Sequence, residues 1–229
     1  MLGRMHFVTA VVFFSPLAFA LFSGVEGSLA LFLLFMAGAL AGVLMPDSDV
    51  AGARGDARFG LFVSATRWAL FKPLSLALRL AGFRRAGDHR GVMHSYAGLV
   101  AGVALWFAAA AVVSLAFSSA MVFALAFASG IALGYAFHLF EDSLTVTGVR
   151  WLFPKGFLLK GRISLHYSSL HEKRFRDSES YAALLFVAAA IINAYLFLFA
   201  GTTALSLALI SIFELSIIAA ACRLEAVEY

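Results

Sequence analysis

The chain has 229 residues, of which 62% are hydrophobic and 13% are charged, and its mean hydropathy is +0.93. Because an ordinary soluble domain carries roughly 25% charged residues, this composition excludes a soluble globular protein and indicates an integral membrane protein. The formal net charge is +4, and the single cysteine, Cys222, excludes an internal disulfide and a cysteine-only metal cluster. We expect one membrane domain over residues 1–229.

Six apolar runs are long enough to span a bilayer, whose hydrocarbon core of about 30 Å needs about 20 residues of helix. In chain order they are residues 7–25, 29–45, 97–117, 120–140, 182–200 and 203–221. The predicted fold class is therefore all-α, a polytopic membrane protein with about six transmembrane helices. The first run follows Arg4 and ends in Ala18-Phe19-Ala20, which is also typical of a cleaved signal peptide. We expect it to be retained as a helix.

The charged residues predict how these helices are oriented. All 17 Lys and Arg residues lie before the first span, in the loops at 46–95 and 141–181, or after the last span. The connections on the opposite side carry a single charge, Glu26. Because positively charged loops stay in the cytoplasm, we expect three helical hairpins in the cell membrane, with both termini and both long loops cytoplasmic.

The two long loops mix basic and aromatic residues. Residues 59–83 combine Trp68 with Arg67 and Lys72, and residues 151–162 have a similar composition. This mixture predicts short helices that lie in the membrane interface, although a basic loop that only sets topology would look the same. The candidates for holding an anionic headgroup, which could equally be topology markers, are Arg84, Arg85, Lys155, Lys160 and Arg162.

Ionisable side chains gather at the cytoplasmic ends of the first four spans. The candidate metal ligands are His6, Asp47, Asp49, His89, His94, His138 and Asp142. Each has a simpler explanation: His138 and Asp142 are i and i+4 on one helix face, and Asp47 and Asp49 follow Pro46 and could be solvated turn residues. In an extended segment, however, alternation would aim both aspartates the same way. Because ionisable groups beside lipid are costly unless paired or functional, their convergence favours a shared metal site.

The order of these residues suggests two half-sites. The first two hairpins begin with a histidine, in RMHFVTA and VMHSYAG, and end with acids, in PDSD and EDS. Half-sites that face one another suit a binuclear centre, which could lower the pKa of a bound water to about 7. The candidate catalytic residues are Arg90, which lies between two candidate ligand histidines, and Glu141, as an outer carboxylate or proton shuttle. Imidazole and carboxylate ligands suit zinc, manganese or iron.

Three sequence blocks carry a resemblance to a known family. MPDSD, DHRGVMHS and GYAFHLFEDSLTVTGVRWLFP, each at the end of a membrane segment, resemble the YdjM family over roughly residues 1–180. The third block, with its G-x-x-x-H-x-x-x-D element, is the most specific. The resemblance implies a membrane-bound metal-dependent hydrolase, also described as a LexA-binding, inner-membrane-associated hydrolase. This sequence departs from the family pattern at Val50, where a histidine is usual, and at Met93, which replaces a threonine.

The G-x-x-x-H-x-x-x-D element is also similar to one in zinc-dependent phospholipase C and P1-type nucleases, which are helical enzymes with multinuclear zinc sites that cut phosphate esters. This likeness implies a phosphoester substrate, for which Arg90 would be a phosphate clamp, and makes zinc the preferred metal, with two ions expected. We therefore expect a hydrolase at the cytoplasmic membrane face that acts on a lipid or another phosphoester. The lipid bilayer is the expected partner, and nucleic acid is not.

Two other functions fit the sequence. A non-enzymatic regulatory or binding protein could use the same metal for structure. A transporter could use the acids to bind a coupling ion, but transporters keep their sites near the bilayer midplane. Here the acids lie at one interface, and the span interiors hold only Glu214 and Asn193 as strongly polar groups. Turnover with and without a chelator would separate the hydrolase from the binding protein.

Overall fold

The computed structural model describes residues 3–49, 64–88, 90–153, 156–163 and 172–227, apart from the side chains of 3–4, 119 and 172–182. The described part is mostly helical. Its α-helices are α1 (Gly3–Phe22), α2 (Ser28–Leu44), α3 (Lys72–Leu80), α4 (Tyr96–Ala116), α5 (Met121–Ser143), α6 (Glu172–Phe199) and α7 (Ala204–Ala221). Two short strands, β1 (Leu158–Lys160) and β2 (Glu225–Val227), pair antiparallel.

A helix covers each of the six predicted apolar runs. Four of the described helices are long and apolar enough to cross a membrane: α1 over Met5–Phe22, α4, α5 and α7. The other two, α2 and the segment Ala183–Phe199 of α6, are apolar over shorter lengths. The chain is therefore a helical protein with several membrane-spanning candidates.

Glycines bring the backbones of α2 and α5 into direct contact. The glycines that face across this crossing are Gly38 and Gly42 of α2 and Gly130 and Gly134 of α5. A Cβ atom at Gly130 would overlap the carbonyl oxygen of Phe35, and one at Gly134 would overlap that of Ala39. Each helix thus presents a small-x-x-x-small motif, which allows close approach where lipid removes the hydrophobic drive for helix association.

The direction of this crossing decides where the chain places its polar residues. Phe35 lies against Gly130, and Ala39, one turn further along α2, lies against Gly134, one turn further along α5. The two helices therefore run parallel, and both end on the same side. After α2, the 3-10 turn Pro46–Asp49 carries two aspartates past the end of α5.

Aromatic contacts attach α1 to this pair. The ring of Phe13 lies 5.2 Å from that of Phe137, and the ring of Phe14 lies 5.1 Å from the same ring. Phe186 of α6 also contacts this group, with its ring 5.2 Å from that of Phe137 and 6.1 Å from that of Phe13. These rings bury the middle of α1, so that its first turn, with His6, lies beside the end of α5.

The first long loop is helical where it is described. A π-helical turn, Arg67–Phe71, leads into α3, and residues 59–63 of the predicted interfacial segment lie outside the described residues. Trp68, Leu76 and Leu80 are exposed, and the Lys72 Nζ atom lies 2.9 Å from the centre of the Trp68 ring. An exposed apolar side with adjacent basic groups is the composition expected of a helix at the lipid surface.

The prediction of an interfacial helix in the second long loop is wrong for its described residues. Residues 144–153 and 156–163 form turns and strand β1, which pairs with β2 near the C-terminus. Gly148 and Gly156 have positive φ angles of 63° and 111°, which interrupt a helix. Val149 and Leu159 exchange backbone hydrogen bonds, so that this segment folds back on itself.

We expect Gly134→Ala to destabilise the protein by about 1–3 kcal/mol, because the added methyl group would meet backbone rather than a flexible side chain. The variant should also bind metal more weakly, since α5 moves relative to α2. Ala108→Val, at an exposed position of α4, is the control. Thermal unfolding in detergent provides the measurement; equal midpoints for Gly134→Ala and the wild type would contradict the close contact.

Candidate metal centre

The turn before α4 is held in place by α5. The 3-10 turn Val92–His94 precedes α4, and the side chain of Ser95 caps that helix by accepting a hydrogen bond from the Gly98 amide. The Tyr135 hydroxyl of α5 donates to the Met93 carbonyl over 2.7 Å. His94 is fully buried as a result, at the end of the α2–α5 pair.

Two histidines and two aspartates surround one point. The Nε2 atom of His94 lies 3.6 Å from Asp47 Oδ1 and 3.5 Å from Asp142 Oδ2. The Nε2 atom of His138 lies 3.8 Å from each of the same two oxygens. Neighbouring ligand atoms around a tetrahedral zinc ion, with bonds of about 2.0–2.2 Å, are separated by about 3.5 Å. The four atoms therefore have separations that suit one divalent transition-metal ion.

His6 of α1 adds a further candidate ligand beside His138 and Asp142 of α5. Its Nε2 atom lies 3.3 Å from Asp142 Oδ1, and its ring stacks on that of His138 with centroids 4.1 Å apart. Among the described residues, two groups have ligand atoms within 4.8 Å of one another: His6, His138 and Asp142, and Asp47, His94 and His138. Because His138 belongs to both groups, they form one continuous centre.

Two further carboxylates orient His94 and His6 through the ring nitrogens that face away from the cluster. Asp49 Oδ2 lies 3.2 Å from Nδ1 of His94, and Glu141 Oε2 lies 2.7 Å from Nδ1 of His6. Glu141 also accepts a hydrogen bond from the Thr9 hydroxyl. His94 and His6 thus each have a carboxylate on Nδ1 and present Nε2 to the cluster, which is the usual arrangement of metal-binding histidines.

His138 provides the test of whether a metal fits. Its side chain is 1% exposed, and neither ring nitrogen has a hydrogen-bond partner among the described residues. A neutral imidazole has one donor and one acceptor nitrogen, and burying both unpaired is unfavourable. A cation held at Nε2 between the aspartate oxygens would satisfy the acceptor nitrogen, so the donor set fits a metal.

Arg90 contacts the cluster from the surface. Its Nη2 atom lies 3.0 Å from Asp142 Oδ2, and its Nη1 atom donates to the Gly148 carbonyl over 3.1 Å and to the hydroxyl of Thr147. Its backbone amide donates to Asp49 Oδ2 over 3.1 Å, and its φ is 62°. The guanidinium is 19% exposed and is already bound by the chain.

The carboxylates favour positive charge at His94. Burial lowers the pKa of His94, but hydrogen bonds with Asp47 and Asp49 raise it more, and the pKa is about 9. Burial raises the pKa of Asp47, but the His138 and His94 rings lower it below its usual range. A metal that binds His94 Nε2 must displace a proton, and the carboxylates that favour the proton also favour the cation.

The structure brings together most of the predicted site residues. The cluster contains His6, Asp47, His94, His138 and Asp142, with Asp49, Glu141 and Arg90 around it. His89 and Lys155 lie outside the described residues. Arg84 and Arg85 are exposed in a turn, and Lys160 lies 3.5 Å from Glu225.

The two predicted half-sites are merged into one cluster. His94 contacts Asp142 of its own hairpin and Asp47 of the first hairpin, and His6 of the first hairpin contacts Asp142 of the second. The sequence interpretation did not identify Thr9 or Tyr135. It also overlooked the signal GALAG and GIALG, two small-x-x-x-small motifs that bring the ligands together.

The comparisons with known proteins identify a family. The family model described as YdjM inner membrane protein matches residues 1–211. The chain therefore belongs to this family, as the three sequence blocks predicted. Comparison with curated proteins and with solved structures gives no match. The likeness to phospholipase C and P1-type nucleases stays a prediction.

The two aspartates after α2 should behave differently when they are replaced. Asp47→Asn removes a ligand and should abolish tight metal binding, whereas Asp49→Asn should weaken it by about 10–100-fold, because it only orients His94. Asp88→Asn, at an exposed position near Arg90, is the control. Equilibrium dialysis followed by elemental analysis measures the affinity; equal losses in the two variants would show that their roles are not distinct.

Proposed function

We propose that this member of the YdjM inner membrane protein family is a membrane-embedded, metal-dependent hydrolase. The observation that carries the proposal is the buried cluster of three histidines and two aspartates at one end of the helices, with carboxylates behind two of the histidines. A buried group of ionisable side chains beside lipid indicates a functional site, because each unpaired ionisable group there is unfavourable.

The cluster supports a centre with two divalent ions. Imidazole and carboxylate ligands suit zinc, manganese and iron alike, and the likeness to phospholipase C and P1-type nucleases makes zinc the preferred metal. Asp142 has one oxygen toward His6 and the other toward His94 and His138, so it could serve two ions at once. His138 is common to both groups. If elemental analysis finds one ion per chain, the metal site is supported but the two-ion centre is contradicted.

Such ions would supply a water of lowered pKa and polarise a phosphoryl oxygen. The chain's own residues have separate tasks. Asp49 and Glu141 hold the tautomers of His94 and His6 by accepting from their Nδ1 atoms. Glu141 is fully buried and has both oxygens engaged, so it acts as an orienting carboxylate.

The exposure of two side chains of the cluster supports a substrate that reaches it from the membrane surface. Asp47 is 23% exposed and Arg90 is 19% exposed, whereas the other side chains of the cluster are at most 3% exposed. Arg90 could turn from Thr147 and Gly148 toward a phosphoryl oxygen and stabilise the charge that develops there. Exposed Arg84 and Arg85 could hold a phospholipid headgroup or another anionic phosphoester.

The charge distribution supports a cytoplasmic site. With six spans in three hairpins, both termini and both long loops would lie in the cytoplasm, since all 17 Lys and Arg residues are on that side. The parallel contact of α2 and α5 agrees with this arrangement, because both helices must then cross in the same direction. The cluster would face the cytoplasm at the ends of these helices.

A second candidate function is a regulatory or binding protein with a structural metal. The engagement of Arg90 favours it: the guanidinium that would act on a phosphate already binds Asp142 and the turn at Thr147. In that case the metal would fix the relative position of the helix ends, and no turnover would occur.

Turnover with and without metal distinguishes the two functions. Purified protein should hydrolyse phosphodiester or phosphomonoester substrates, chelator should abolish the activity, and Arg90→Gln should keep the metal and lower kcat by about 100-fold. Arg223→Gln, at an exposed position, is the control. Metal-loaded protein without turnover on lipid and soluble phosphoesters would favour the binding protein.

Cysteine labelling tests the topology. Because Cys222 is the only cysteine, Ser118→Cys in a Cys222→Ser background gives one reactive site. We expect an impermeant thiol reagent to label it from outside in intact cells, since Ser118 lies in a connection without basic residues. Labelling that requires cell lysis would reverse the orientation.

A further inference from the structure

The contact between α6 and α7 contains a polar cluster that the metal centre does not use. Asn193 of α6 and Ser211 and Glu214 of α7 are 1%, 5% and 8% exposed. Glu214 lies within the apolar helix Ala204–Ala221, roughly 15 Å from its first residue and 10 Å from its last. An ionisable residue at such a depth marks a candidate functional site.

One hydrogen bond joins the amide of Asn193 to the carboxyl group of Glu214. Asn193 Nδ2 donates to Glu214 Oε2 over 2.8 Å and to Ser211 Oγ over 3.2 Å. The second oxygen of the carboxyl, Oε1, and the amide oxygen of Asn193, Oδ1, are both buried and have no hydrogen-bond partner among the described residues. With Glu214 ionised, both atoms are acceptors, so neither can satisfy the other.

A single proton satisfies both atoms. A neutral carboxyl has one O–H donor, and its natural acceptor here is Asn193 Oδ1, because the amide nitrogen already binds the other carboxyl oxygen. The two groups then form a cyclic pair with one hydrogen bond in each direction. We propose that Glu214 is a proton-binding site inside the membrane, which joins α6 to α7 through Asn193 when it holds its proton.

The surroundings contain no competing charge within the described residues. α7 contacts α6 and α1, and the titratable side chains described on these helices, besides Glu214, are His6, Tyr195 and Cys222. His6 is bound to Glu141 and Asp142, and Tyr195 is 61% exposed. No described cation forms an ion pair with Glu214. A neutral acid is therefore the form that this position favours.

Glu214→Gln imitates the protonated acid. The amide N–H of glutamine replaces the O–H of the acid, so the cyclic pair with Asn193 is kept without a proton that can be lost. Infrared spectroscopy of the full chain in lipid vesicles should show the C=O stretch of a protonated carboxyl at neutral pH. We expect this band to be missing in Glu214→Gln and present in Glu141→Gln. A spectrum of Glu214→Gln that keeps the band would overturn the proposal.

The pH dependence of stability provides a second readout. At neutral pH the wild type and Glu214→Gln should unfold at the same temperature. As the pH rises, loss of the proton removes the donor, and the wild type should fall below the variant. Ser216→Ala, at an exposed position of α7, should follow the wild type. A difference between wild type and Glu214→Gln at neutral pH that appears only with sodium chloride would assign the site to a metal cation instead and contradict the proposal.

Discussion

The direct contact between the backbones of α2 and α5 determines where the candidate ligands lie. Side chains at Gly38, Gly42, Gly130 or Gly134 would overlap carbonyl groups of the opposite helix. Because the helices run parallel, the turn with Asp47 emerges beside His138 and Asp142. The glycine that begins the G-x-x-x-H-x-x-x-D element is Gly134, so one motif provides both the helix contact and two candidate ligands, His138 and Asp142. Gly134, which makes the helix contact, and His138, a candidate ligand, are thus only four residues apart in the sequence.

The centre separates its carboxylates into two roles by position. Asp47 and Asp142 face the Nε2 atoms, whereas Asp49 and Glu141 bind the Nδ1 atoms from behind. This division fixes the imidazoles of His94 and His6 in one tautomer and concentrates negative charge where a cation would lie. Burial strengthens the effect, because water screens these charges less. The polar pair of Asn193 and Glu214 differs from this centre, because it lies between α6 and α7 and Glu214 can be neutral when it is protonated.

Much of the helical architecture could be predicted from hydropathy, because an apolar run of sufficient length has few alternatives to a helix in lipid. Hydropathy does not say which helices touch. Pro46–Asp49 forms a 3-10 turn rather than the extended segment considered for Asp47 and Asp49, and the two carboxylates reach different ring nitrogens of His94. The half-sites were expected to be separate, but a contact between α2 and α5 joins different hairpins, so His94 contacts Asp47 of the first hairpin as well as Asp142 of its own. Strand β2 was not expected, because its partner lies more than sixty residues away in the second loop.

Anomalous X-ray scattering from crystals of the metal-loaded protein tests the central claim most directly. Data collected on both sides of the zinc absorption edge would locate any bound zinc. The account predicts a peak between Nε2 of His94 and His138 and the oxygens of Asp47 and Asp142, with a second peak near His6 if the centre is binuclear. A zinc-loaded crystal without a peak among these side chains, or with its peak elsewhere, would contradict it.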